Sequence, residues 1–147
     1  DRLAEILRAL RAGRYPARRV RDAVRATAPA SAVLTAFVVG LESSGWSFQR
    51  FLEPEPLERT LRIAREAVQI AAWRTQQSAS TILRLLRPTL FKLLLPIASR
   101  VAPFDLEAYL RIHFTKVSEQ TRWMVREYIE LGTQAGLPVE ALRASTR

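Results

Sequence analysis

The segment FDLEAYLRIHFTKVSEQTRWMVREYIELGTQAGLPVEAL, residues 104–142, decides the fold class. It opens on Pro103-Phe104-Asp105, which places Asp105 as a helix N-cap and Glu107 in the first turn, where a carboxylate complements the helix dipole. Leu106, Tyr109, Leu110, Ile112 and His113 follow on that helix. Beyond Phe114-Thr115-Lys116, the residues Val117, Thr121, Met124, Val125, Tyr128, Gly132 and Ala135 recur at spacings of three and four, which marks one face of a second and longer helix. Gly136 stands where a C-terminal residue in the left-handed region belongs, and Leu137-Pro138 introduces a short last helix starting at Val139. The segment holds the only histidine of the chain, His113, and one of its two lysines, Lys116.

The same periodicity runs upstream. Leu3, Ile6, Leu7 and Leu10 form the stripe of a short amphipathic helix that Gly13 stops. Pro16 fits the first turn of the next helix, which carries Val20, Ala23 and Val24 on one side and Arg18, Arg19, Arg21 and Arg25 on the others. Thr27 and Pro29 mark a third start, and residues 30–41 are apolar on nearly every side, as in a buried helix. Gly40 within it allows a close helix–helix approach, at a propensity cost of about 1 kcal/mol. Trp46, Phe48 and Phe51 then close one end of the core. Glu53-Pro54-Glu55-Pro56 breaks the chain ahead of a long helix from Leu57 to about Arg74. Glu55–Arg59, Glu58–Arg62 and Arg62–Glu66 are spaced as ion pairs on its wet side. Two helical pieces divided at Pro88 follow, and Pro96 is expected to end or kink the second. The whole of 1–147 reads as one all-α, multi-helix domain.

The chain has no cysteine, which excludes disulfides, thiolate metal sites and cysteine nucleophiles and points to a reducing, cytoplasmic setting. A lone histidine excludes a two-histidine metal site, so no metal is expected. The most apolar run, Leu90–Ala98, is interrupted by Lys92 and Pro96 and falls short of the roughly 20 residues a bilayer span requires, so no membrane is expected as a partner. The net charge is +9, and 21 of the 23 basic residues are arginine. Residues 1–25 hold eight arginines against three acidic groups, whereas residues 104–147 hold six of each sign. Residues 67–104 contain no acidic residue at all, leaving Arg74, Arg84, Arg87, Lys92 and Arg100 as a basic patch on an apolar body. A solvated or interdomain face explains the arginines better than nucleic acid does. No zinc-finger spacing, RNP-like aromatic motif or Gly-rich phosphate loop accompanies them.

No self-contained catalytic constellation is present. The hydroxyls lack the turn motifs that expose a nucleophile, and the carboxylates are not paired on one face. Taken singly, His113 reads as a packed or interface histidine and Lys116 as a solvated cation. Together, His113, Lys116, Ser118, Glu119 and Gln120 lie within eight residues at a helix junction, where a helix N-terminus attracts a carboxylate or phosphate.

Residues 104–122 and the GLPVEAL ending resemble the C-terminal all-helical domain of ketopantoate reductase-like proteins. Residues 28–48, APASAVLTAFVVGLESSGWSF, and 64–71, AREAVQIA, resemble the corresponding upstream parts. The resemblance implies a fold like the C-terminal domain of 6-phosphogluconate dehydrogenase-type enzymes. It implies a chain that follows an N-terminal Rossmann domain, binds substrate and dimerises. The activity implied is NADPH-dependent reduction of a small keto acid, 2-dehydropantoate in the family, in the cleft between the two domains. NADP would be held by the Rossmann half, since this chain has no GxGxxG loop. The family's general acid is a lysine on the first long helix of this domain. Here residues 29–41 contain none, and Ser31 and Thr35 are the polar side chains in its place. The family's acidic residue near the start of the last long helix falls at Glu119 or Gln120. Lys116, Glu119 and Gln120 are then the catalytic candidates, and His113, Thr115, Ser118, Ser31 and Thr35 the substrate-binding ones. The rival reading is a non-enzymatic basic helical module that binds nucleic acid or an acidic protein.

Overall fold

The computed structural model describes residues 1–146 and is all-α, with no strand among the described residues. The helices are α1 (Arg2–Ala12), α2 (Ala23–Ser43), α3 (Phe48–Phe51), α4 (Pro54–Arg74), α5 (Ser80–Leu85), α6 (Pro88–Val101), α7 (Leu106–Lys116), α8 (Ser118–Gln134) and α9 (Glu140–Ala144). The long helices α2 and α4 pack along each other and carry most of the core, and the remaining helices are laid against this pair.

The start of α2 differs from the expectation. No helix forms at Pro16. Asp22 is extended and its Oδ1 accepts from Arg25 N at 2.9 Å, so the helix begins at Ala23. Residues 15–20 instead fold back on α1, where the Arg11 guanidinium donates to the Ala17 carbonyl at 3.1 Å and Arg19 approaches Asp1 at 3.8 Å. Pro29 is not a helix start but an interior residue of α2. Proline has no N–H, so the Arg25 carbonyl loses its helical donor. The Gln77 side-chain amide replaces it at 2.6 Å, and the Arg25 guanidinium donates in return to the Gln76 carbonyl at 3.0 Å. This exchange ties the weak point of α2 to the C-terminal turn of α4. There Gln76 adopts φ 52°, and the Gln76 and Gln77 amides close on the Trp73 and Ala72 carbonyls.

At Gly40 α2 and α4 approach closely. A Cβ at Gly40 would overlap the Thr60 side chain and lie 2.9 Å from the Phe51 ring. The Thr60 hydroxyl, which faces Gly40, donates to the Pro56 carbonyl at 2.9 Å, so its burial leaves no polar group unpaired. Leu41, Phe51, Leu57, Leu61, Val68 and Ile70 are fully buried in the core. Phe37 meets Phe51 edge-on with centroids 5.2 Å apart, a favoured aromatic geometry. By length and apolar composition α2 would cross a bilayer, but α4 covers one of its faces. It is not buried all round, however. Leu34 is 48% exposed, and Val33 and Phe37 are only half-buried.

None of the three ion pairs expected along α4 forms among the described residues. Glu66, assigned from spacing to the wet side, accepts from Ala141 N at 3.0 Å and from Leu142 N at 2.9 Å, and so caps α9. That cap seats Leu142, which is fully buried. Arg65 reaches Glu58 at 3.2 Å and the Leu86 carbonyl at 3.0 Å. Pro88 is the first residue of α6. Pro96 does not end that helix, which continues to Val101. The carbonyl deprived of a donor there is that of the exposed Lys92, which water can satisfy.

In the segment 104–142 the expected caps hold. Asp105 Oδ1 accepts from Ala108 N at 3.0 Å, and Gly136 has φ 65°. Thr121, Val125 and Gly132 are buried along α8. This segment is nevertheless not the centre of the molecule, because α7 buries no residue fully and α8 only a narrow stripe.

Gly40→Ala should lower stability by at least about 1 kcal/mol despite its gain in helix propensity, because the added methyl meets Thr60. The double variant Gly40→Ala/Thr60→Ala should regain part of that loss in urea unfolding. Strictly additive effects would show that the two side chains do not meet.

Candidate functional site

Helices α7 and α8 are joined through Val117 alone. Valine has no side-chain acceptor, so the first turn of α8 carries no side-chain cap. The N–H donors at the start of α8 are therefore left without the usual side-chain partner. Lys116, the residue before, is exposed and has no acidic partner among the described residues. Thr115 and Gln120 are also exposed, and Ser118 is half-buried.

His113 belongs to a row of aromatic rings along α7. Its ring stacks on Tyr109 at 5.8 Å and meets Phe114 edge-on at 4.9 Å, while Phe104 tilts against Tyr109 at 5.2 Å. Glu119 pairs with Arg122 at 2.6 Å, and the same guanidinium lies 3.7 Å from Glu42 on α2. This Glu119–Arg122–Glu42 bridge connects the junction to a cleft of about 490 Å³ between α2, α8 and α9.

Arg122, Arg126, Glu42 and Ser43 line that cleft together with Ser145 and Thr146. Three of its four hydroxyls are committed to the backbone. Ser43 donates to the Val39 carbonyl at 2.8 Å, Ser145 to the Leu142 carbonyl at 2.7 Å and Thr146 to the Arg143 carbonyl at 2.9 Å. Arg122 is balanced by Glu42 and Glu119, so Arg126 is the cleft's guanidinium without an acidic partner among the described residues and the group that could hold an anion there. The pairing of Glu42 with Arg122 escapes a sequence reading, because the crossing of α2 and α8 sets it over 80 positions of chain.

Two sequence candidates stand away from the junction. Thr35 is buried on α2, donates to the Ser31 carbonyl at 2.9 Å and lies 4.0 Å from Met124 Sδ. Met124 is about 9 Å along α8 from Ser118 at the rise of a helix. His113 to Gln120 thus share the junction, while Ser31 and Thr35 stand on α2, Thr35 against Met124 of α8. Among the described residues no three His, Cys, Asp or Glu side chains cluster as metal ligands.

Tyr128, also on α8, is half-buried beside the Arg74–Glu127 ion pair. Burial raises its pKa above the usual 10.0, and the Glu127 carboxylate adds to the rise against an opposing effect of Arg74. No protein-family model, curated protein or solved structure matches the chain.

The raised phenol gives a pH dependence with a definite sign. Folding favours neutral Tyr128, so its contribution to stability is complete below the unfolded value near 10 and is lost as pH rises through the folded one. Tyr128→Phe should remove this part of the alkaline loss in denaturant melts taken on either side of pH 10. An unchanged alkaline slope would mean that Tyr128 does not titrate with folding.

Proposed function

We propose that the chain is the helical, substrate-binding domain of an NADP-dependent oxidoreductase of the ketopantoate reductase-like type, acting on a small keto acid. The single observation that carries this reading is the uncapped N-terminus of α8 beside the unpaired Lys116. Backbone N–H donors and a free ammonium, side by side at an exposed surface, make a site for a carboxylate. The flanking groups suit the rest of such a substrate. Lys116 polarises the carbonyl and supplies the proton its oxygen needs on reduction. His113 and the first turn of α8 anchor the carboxylate, and Glu119 or Gln120 takes a hydroxyl.

The chain itself does not fit a dinucleotide. It has no strand followed by a Gly-rich loop among the described residues, and the α2–α4 core leaves no such turn. On this reading NADP belongs to the protein's own Rossmann domain, which also forms the second wall of the cleft. Exposed junction residues are what one wall of an interdomain cleft requires. The cytoplasmic setting and a homodimer belong to the same proposal.

Titrating 2-dehydropantoate into the chain should shift the amide resonances of Ser118, Glu119 and Gln120 first. Lys116→Ala should weaken that binding by about tenfold, the worth of one charge-assisted contact. In the full-length protein the same change should lower turnover by more than about tenfold. Unmoved amides at the start of α8, or an unchanged rate, would remove the junction from the site.

A further inference from the structure

Helix α6 is apolar over a wider arc than the fold covers. Phe91 and Leu95 turn to the core, whereas Leu90, Leu93, Leu94, Ile97 and Val101 continue the apolar arc onto the surface. Of these, Leu93 is 60% exposed and Val101 76%. At helical spacing, residues 90 to 101 make one stripe about 16 Å long. Beside it, Ala30, Leu34 and Phe37 of α2 with Leu90, Leu94 and Ala98 form an open groove of about 330 Å³ without a charged residue in its walls.

The charges around this face are of one sign. Arg84 and Arg87 wall a second cleft that shares Leu90 with the groove, and Lys92 and Arg100 stand on α6 itself. None of the four has an acidic partner among the described residues. The acidic groups that bracket this stretch in sequence are occupied, Glu66 on Ala141 N and Leu142 N, Asp105 on Ala108 N and Glu107 on Phe48 N. Helix α1 also leaves an apolar face uncovered: it buries no residue and exposes Leu3, Ile6 and Leu10, with Glu5 among Arg2, Arg8 and Arg11 on its other sides.

We propose that the α6 face docks on an anionic membrane surface, lying in the interface without crossing it. An exposed apolar stripe with arginines beside it, here Arg84 and Arg87, is the pattern of an interfacial helix. Charge complementarity selects the occupant. A second copy of the chain would set this basic rim against itself across a two-fold axis. An acidic protein would need a groove shaped to α6, while a lipid surface accepts the exposed helix as it is. This inference is independent of the reductase reading.

The test is co-sedimentation of the chain with phosphatidylcholine vesicles with and without phosphatidylserine. Binding should require phosphatidylserine and weaken as salt is added. Arg84→Ala/Arg87→Ala and Leu93→Glu/Ile97→Glu should each lower partitioning by at least about tenfold, with helix content unchanged by circular dichroism. Equal binding to neutral vesicles, no binding, or binding indifferent to both α6 variants would overturn the proposal. So would a vesicle-free dimer that Leu93→Glu/Ile97→Glu dissociates, which would give the face to a second copy. Saturable capture of an acidic amphipathic peptide by a chain that ignores vesicles would give it to a protein and would equally overturn it.

Discussion

The close approach of α2 and α4 at Gly40 is the constraint on which the rest of the structure depends. With no side chain at Gly40, Thr60 and Phe51 move in against the backbone of α2. The two helices can then bury Leu41, Leu57 and Leu61 in one continuous layer. The other elements take their places from this pair. Glu66 on α4 caps α9, Arg65 holds the Leu86 carbonyl, and Gln76 and Gln77 repair the break that Pro29 makes in α2. Gly132 plays a similar part for α8, since a Cβ there would run into Ile70 and Val139.

Local chemistry was legible in the sequence where its cause was local. Asp105 caps α7 through a bond three residues away, Pro88 opens α6, and the stripe on α8 needs only helical spacing. Two expectations that failed had causes elsewhere in the chain. Pro29 is tolerated inside α2 because Gln77, 48 positions on, supplies the missing donor. Glu66 leaves the pattern of ion pairs on α4 because backbone donors 75 and 76 positions away compete for it. Two amides at the end of a helix hold a carboxylate better than one exposed guanidinium does.

The site divides along the same line. His113, Thr115, Lys116, Ser118, Glu119 and Gln120 are neighbours in sequence, so their grouping at the α7–α8 junction follows from a helix break at Val117. The Arg122–Glu42 contact and the adjoining cleft depend on how α8 crosses α2, which periodicity does not contain. Ser31 and Thr35 show the converse. They stand out as the polar residues of an apolar helix, yet Thr35 spends its hydroxyl on the turn before it and rests against Met124. The structure has a tight central pair and a periphery of helices with uncovered faces, and both functional proposals draw on that periphery.

Native-state hydrogen exchange tests this division most directly. The account predicts that the slowest amides lie in Val38–Leu41 of α2 and Leu61–Ala72 of α4 and exchange only through global unfolding. Amides of α6 and α7 should exchange through smaller openings, and those of α1 fastest, since it buries nothing. If α7 or α8 proved the most protected while α2 and α4 opened at lower free energy, the central role assigned to the Gly40 contact would be contradicted.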